Sequence, residues 1–99
     1  MRGTLKITVK HFAELREIAG KREELLEVED GTTVEDLLHI LAKTYGHRFT
    51  NYVFDKETDA PSDHLQFLID GRSATSLQWL KTKLTDGCQF AIIPPVSGG

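Results

Sequence analysis

The hydrophobic pattern predicts an α+β domain, one long helix laid across one face of a mixed sheet. Three observations carry that reading. Leu5, Ile7 and Val9 alternate with polar residues near the start, and an apolar run, Phe90-Ala91-Ile92-Ile93, lies near the end; both read as strands. Between them one stripe, Val34, Leu37, Leu38, Leu41, Ala42 and Tyr45, keeps the helical period. That helix comes too early in the order of elements for a doubly wound fold.

The elements follow in order. The first strand pairs Leu5, Ile7 and Val9 with an outward face of Lys6, Thr8 and Lys10. Phe12, Leu15 and Ala19 then take helical spacing and stop at Gly20, which predicts a short helix. Glu23 to Glu29 reads as a second strand with Leu26 and Val28 inward. Asp30-Gly31 turns the chain and Thr33 offers a helix cap, with Asp36 completing an approximate capping box. The long helix ends at Gly46, where a C-terminal cap belongs.

His47 to His64 is weakly patterned and reads as a long loop, marked by Asp55, Asp59, Pro61, Ser62 and Asp63. That length suggests a function, an insertion or a small element of its own. Phe49, Tyr52, Val53 and Phe54 are expected to tuck one end of it onto the core. Leu65, Phe67 and Ile69 form the next strand, and Asp70-Gly71 is a strong hairpin signal. Arg72 to Ala74 is the return strand, Leu77, Trp79 and Leu80 make one helical turn, and Asp86-Gly87 leads into a last strand from Cys88 to Ile93.

At 99 residues the chain is one domain with one modest core. Hydrophobic content of 39% and charged content of 27% place it with folded proteins rather than disordered ones. A net charge of -3 with scattered cations argues against nucleic-acid binding, which calls for a basic stripe. One cysteine excludes an internal disulfide and fits a reducing compartment. No apolar run suggests a signal core or a membrane span, so the expected location is cytoplasmic, away from membranes.

Candidate chemistry within the body is sparse. His11, His39, His47 and His64 lack metal-ligand spacing and are expected at the surface or its rim, and no metal site is expected. Cys88 has no histidine nearby in sequence and reads as a small buried hydrophobe rather than a nucleophile. Asp55, Glu57, Asp59 and Asp63 lack the glycine and final glutamate of a calcium loop. No catalytic residue and no bound cofactor is expected. Phe12 remains open between two readings: exposed on the outward face beside Lys10, or starting the stripe of the short helix.

The informative segment is the last, Pro94-Pro95-Val96-Ser97-Gly98-Gly99, expected as a functional tail (94–99) on a domain of residues 1–93. The prolines stop the sheet and favour extended geometry. Six such residues reach at most about 20 Å. Glycines at the tip let the backbone thread a channel too narrow for side chains. A stiff base with a thin tip describes a C-terminus that is itself the reacting group.

With these pieces in place, the sequence resembles the small, sulfur-carrying subunit of molybdopterin synthase, a ubiquitin-like β-grasp family. The likeness lies in Phe12-Ala13-Glu14-Leu15-Arg16-Glu17 with Gly20, in Gly31-Thr32-Thr33-Val34-Glu35-Asp36-Leu37-Leu38, and in Leu84-Thr85-Asp86-Gly87 followed by Ile92-Ile93 and the tail. Two positions depart from it. Cys88 stands where the family often has an acid, and Ser73 where relatives often have an apolar, partner-facing residue.

The resemblance implies a β-grasp sheet of four to five strands, with the first and last strands parallel neighbours. It implies that an adenylating enzyme of the ubiquitin-activating type, using ATP and magnesium, converts the Gly99 carboxylate to an acyl-adenylate. A sulfur donor protein then supplies the sulfur of a C-terminal thiocarboxylate, and the tail delivers it in the active site of the synthase large subunit. A cyclic pyranopterin monophosphate is thereby converted to the dithiolene of molybdopterin. Phe12, Ile93 and Arg16 match partner-facing positions of the family. The alternative fate is an isopeptide bond from Gly99 to lysines of other proteins. A third class, an interaction module with an incidental Gly-Gly, is weakest because of the tail.

Overall fold

The computed structural model describes residues 3–94. Strand β1 (Thr4–His11) is followed by α1 (Glu14–Ala19), β2 (Glu23–Glu29), α2 (Val34–Tyr45), α3 (His47–Val53), β3 (Gln66–Ile69), β4 (Arg72–Ser73) and β5 (Gln89–Ile93). These make one five-stranded sheet in the order β2-β1-β5-β3-β4. β1 and β5 run parallel, pairing Thr8 with Gln89 and His11 with Ile92, while the other neighbours are antiparallel. This is the β-grasp arrangement, with the last strand at the centre.

The helix that covers the sheet forms for local reasons first. Thr33 Oγ1 accepts the Asp36 N–H at 3.2 Å, and Asp36 Oδ2 accepts the Thr33 N–H at 3.1 Å. The capping box therefore closes with aspartate in place of glutamate. Val34, Leu37, Leu38 and Leu41 then bury against Ile7, Val9, Phe67, Phe90 and Ile92 in a single core. Each fully buried aliphatic chain contributes roughly 1.5–3 kcal/mol. At the hairpin, Asp70 and Gly71 both take positive φ, 51° and 83°, the geometry a two-residue turn of this hand requires.

Three expectations need correction. His47–Val53 is a helix, not loop: seven residues are too few for a period to stand out among polar neighbours, yet Phe49 and Val53, one turn apart, are both fully buried. Phe12 belongs to neither β1 nor α1, because α1 begins only at Glu14. His11 is 3% exposed rather than at the rim, since strand parity puts it on the same face as Ile7 and Val9. Smaller differences lie at the element ends. Leu65 precedes β3, Cys88 precedes β5, and Ala74 opens a 3-10 turn (Ala74–Ser76), with a second at Trp79–Lys81.

Candidate functional site at the root of the tail

The parallel β1/β5 ladder ends with His11 beside Ile92. Phe12 and Ile93 each follow that last pair directly along the chain, and both are half-buried. Neither earlier reading of Phe12 describes it fully: it sits at the turn between strand and helix. The Leu15 N–H donates to its carbonyl at 3.1 Å, closing a tight turn. Ala13, inside that turn, is held at φ 52° and ψ -125°, a conformation that costs a residue with a Cβ. Pro94 follows Ile93 and is half-buried. Pro95, Val96, Ser97, Gly98 and Gly99, the rest of the expected tail, lie outside the described residues.

Next to this root is a polar cluster at the edge of the core, in which His11 is buried and Glu24 and Tyr45 are partly buried. His11 Nε2 lies 2.7 Å from Glu24 Oε2, and the Tyr45 hydroxyl donates to the same oxygen. A carboxylate can only accept, so Nε2 carries the proton. The His11 and Tyr45 rings meet edge-on with centroids 5.9 Å apart, and Lys21 Nζ stands 3.8 Å from Glu24 Oε1. Burial by itself would raise the Glu24 pKa; the bonds from Tyr45 and His11, with the positive charge of nearby Lys21, reverse this and hold it below the ordinary carboxylate value. The Tyr45 phenol is pushed well above its ordinary range by burial and by that carboxylate. One carboxylate thus ties together the end of β1, the start of β2 and the end of α2.

Arg16, on α1 beside this root, is half-buried. Its Nε is shut away from solvent without a hydrogen-bond partner among the described residues. With Glu17, Gly20, Lys21 and Arg22 it lines a shallow cavity of about 310 Å³. Cys88 is at the other end of β5, roughly 17 Å from Ile93 at the usual strand rise. It is buried, and burial with the nearby Asp70 charge raises its thiol pKa, Thr85 opposing only in part. Such a thiol is a poor nucleophile. His39, His47 and His64 are exposed, and the described residues contain no group of three or more His, Cys, Asp or Glu placed to hold a metal. No helix among them is long and apolar enough to cross a membrane.

The structure therefore puts Phe12 and Ile93 just beyond the same end of the β1/β5 ladder and sets Arg16 on the helix that follows Phe12. His11, Glu24 and Tyr45 were missed as a unit. Each was legible by period alone: His11 continues Leu5-Ile7-Val9, Glu24 continues the inward set Leu26-Val28, and Tyr45 closes the α2 stripe.

The sequence profile of the ThiS family matches residues 9–99. The chain is 30% identical over 95 residues to small archaeal modifier protein 3 of Haloferax volcanii, covering 96% of this chain and all of that one. It is 31% identical over 100 residues to a molybdopterin synthase sulfur carrier subunit of Chlamydomonas reinhardtii, again covering 96% of this chain and all of the relative. Among solved structures, small archaeal modifier protein 1 of Methanosarcina acetivorans superposes with a TM-score of 0.82 at 32% identity, over 98% of this chain and 99% of the other.

Proposed function

The chain belongs to the ThiS family, and on that premise we propose that it is a sulfur carrier for molybdopterin synthesis, activated and loaded by partners and not itself a catalyst. The observation that carries this reading is positional. β5 is the central strand of the sheet, so residues after Ile93 leave from a firmly anchored place. A Pro-Pro base and a Gly98-Gly99 tip suit presentation of a terminal carboxylate.

The chemistry follows from the carboxylate's poor leaving group. An adenylating partner binds ATP and magnesium; the Gly99 carboxylate attacks the α-phosphorus, pyrophosphate departs, and AMP becomes the leaving group. Sulfide-level sulfur released by a donor protein then attacks the acyl carbon; the C–S bond forms, the C–O bond to AMP breaks, AMP leaves, and the product is the thiocarboxylate. The large subunit of molybdopterin synthase then receives the tail, and Phe12, Ile93 and Arg16 form the surface that docks against it. The half-buried positions of Phe12 and Ile93, both just past the His11/Ile92 pair, support that assignment.

Incubation with the adenylating enzyme and ATP, followed by intact mass measurement, tests the reading. Deleting Gly98 and Gly99, or adding one residue after Gly99, should abolish adenylate and thiocarboxylate formation. The deletion should change stability by no more than about 0.5 kcal/mol, as for surface positions. Activation of either variant at the parent rate overturns the proposal. A second reading, protein modification through Gly99, is favoured by the likeness to a relative named as a modifier protein. Native material decides between them: an oxygen-to-sulfur exchange in the intact mass supports the carrier, and diglycine remnants on lysines of other proteins support the modifier.

A further inference from the structure

β2 is the sheet's edge strand, and its backbone register shows which groups face outward. The Asp30 N–H donates to the Gly3 carbonyl at 3.0 Å, and the His11 N–H to the Arg22 carbonyl at 2.8 Å. Bonded and non-bonded pairs alternate along an antiparallel ladder. Stepping by two from Asp30 to Arg22 assigns Val28, Leu26 and Glu24 to β1. The N–H and C=O of Leu25 and Glu27 therefore point away from β1, toward the open side.

Two large hydrophobic side chains are conspicuously exposed among the described residues, Leu25 at 64% and Ile40 at 38%. Both border this edge. Leu25 stands on the outer face of β2, and Ile40 on α2 lines a cavity of about 430 Å³ with Leu26, Val28 and Thr32 and the acidic residues Glu27, Glu29 and Asp36. Backbone groups left open among the described residues, an exposed apolar chain on one face and a cavity with an apolar floor and an acidic rim on the other are what an added strand of basic and apolar residues requires.

The molecule itself shows what chemistry suits the outer face. Glu23, Leu25 and Glu27 are met on one side by Lys10, Thr8 and Lys6 of β1. A strand on the other side would face the same three side chains at the usual interstrand spacing of about 4.8 Å. A second copy of β2 fits badly. With Leu25 opposite Leu25, Glu23 would fall opposite Glu27, and like charges facing each other across a ladder repel.

We propose that the open edge of β2 receives an extended strand of a partner protein. One face of that strand carries lysine, a small or apolar residue and lysine in alternation, and its other face is apolar and enters the cavity beneath Ile40. This surface is separate from the tail root and does not depend on the carrier reading.

The probe is a capped peptide of residues 4–11, titrated into isotope-labelled protein at low salt and followed by NMR. Shift changes should concentrate over Glu23–Glu29 and around Ile40, with slowed amide exchange at Leu25 and Glu27. Leu25→Pro removes an outward donor without costing a β1 bond, a change edge strands tolerate. Leu25→Pro and Ile40→Asp should each weaken binding by about tenfold or more. Glu23→Lys with Glu27→Lys should transfer preference to a peptide whose two lysines are glutamates. Should Leu25→Pro fail to fold, the Ile40 and charge-reversal variants carry the test. No shifts at millimolar peptide, equal binding of the glutamate peptide, shifts centred on β5 from strand exchange, or pairing of β2 with a second copy would each overturn the proposal.

Discussion

The two ends of β5 differ in kind. At the start, Cys88 is enclosed by core, its thiol pKa raised, its carbonyl accepting the Thr8 N–H at 3.0 Å. At the finish, Ile93 is half-buried just past the His11/Ile92 pair, and His11 meets a partly buried carboxylate with two hydrogen-bonding partners. β5, a strand of five residues, thus has a fully enclosed residue just before it and ends half-buried. The lone cysteine, which the sequence reads as a small buried hydrophobe, is buried as expected, at the end away from Ile93.

The largest expected effect comes from breaking the middle that both ends share. Phe90 is fully buried beneath α2. Phe90→Ala should lower unfolding free energy by about 3–5 kcal/mol, a large aromatic leaving a cavity. Chemical denaturation measures it. A loss below about 1 kcal/mol would mean the centre of the sheet does not organise the two ends.

The next effect separates the ends. Glu24→Ala leaves the buried His11 and the partly buried Tyr45 hydroxyl without this partner, which should cost about 1–3 kcal/mol. The pH profile gives a finer signature. The Glu24 pKa is lowered in the folded state, so its stabilisation is present above the unfolded value, near the ordinary 4.5, and is lost as pH falls through the folded value. Tyr45 is raised, so its share is present below the ordinary 10.0 and is lost as pH rises through its folded value. Denaturation of the parent and of Glu24→Gln should converge in acid. Parallel curves would show that the carboxylate's charge contributes nothing.

How much of this was legible beforehand depends on distance along the chain. α2, its cap, the Asp70-Gly71 hairpin and the inward faces of β1 and β2 follow from local period and turn chemistry, and all stand in the structure. The parallel β1/β5 pair joins residues some eighty positions apart, and it was expected only through the family resemblance. α3 was hidden because two buried residues in one short, polar helix make a faint signal. The His11-Glu24-Tyr45 cluster was hidden differently. Each member lies on a predicted inward face, but a single sequence does not say that three polar residues from three elements share one point in space.

A smaller effect is expected on binding rather than on folding. Phe12→Ala removes a half-buried ring from the proposed docking surface and should weaken association with the synthase large subunit by at least about 1 kcal/mol. The same variant should melt close to the parent. Unchanged affinity, measured by calorimetry, would remove Phe12 from the partner surface and leave the root of the tail defined by Ile93 alone.

The smallest effect concerns the turn that sets Phe12 in place. Ala13 holds φ 52° with a side chain, where glycine would be free of strain. In Ala13→Gly, relief of that strain competes with the greater freedom glycine gives the unfolded chain. Incompatible backbone geometry outweighs the entropy term, so the variant should gain about 0.5 kcal/mol, within the range such exchanges span. The gain should appear in the melt without strengthening association, because a freer turn fixes Phe12 less well. If instead the variant loses stability, the turn is relaxed with alanine in place. The contrast between a strained exit and a quiet anchor at the two ends of β5 would then rest on the partly buried carboxylate cluster.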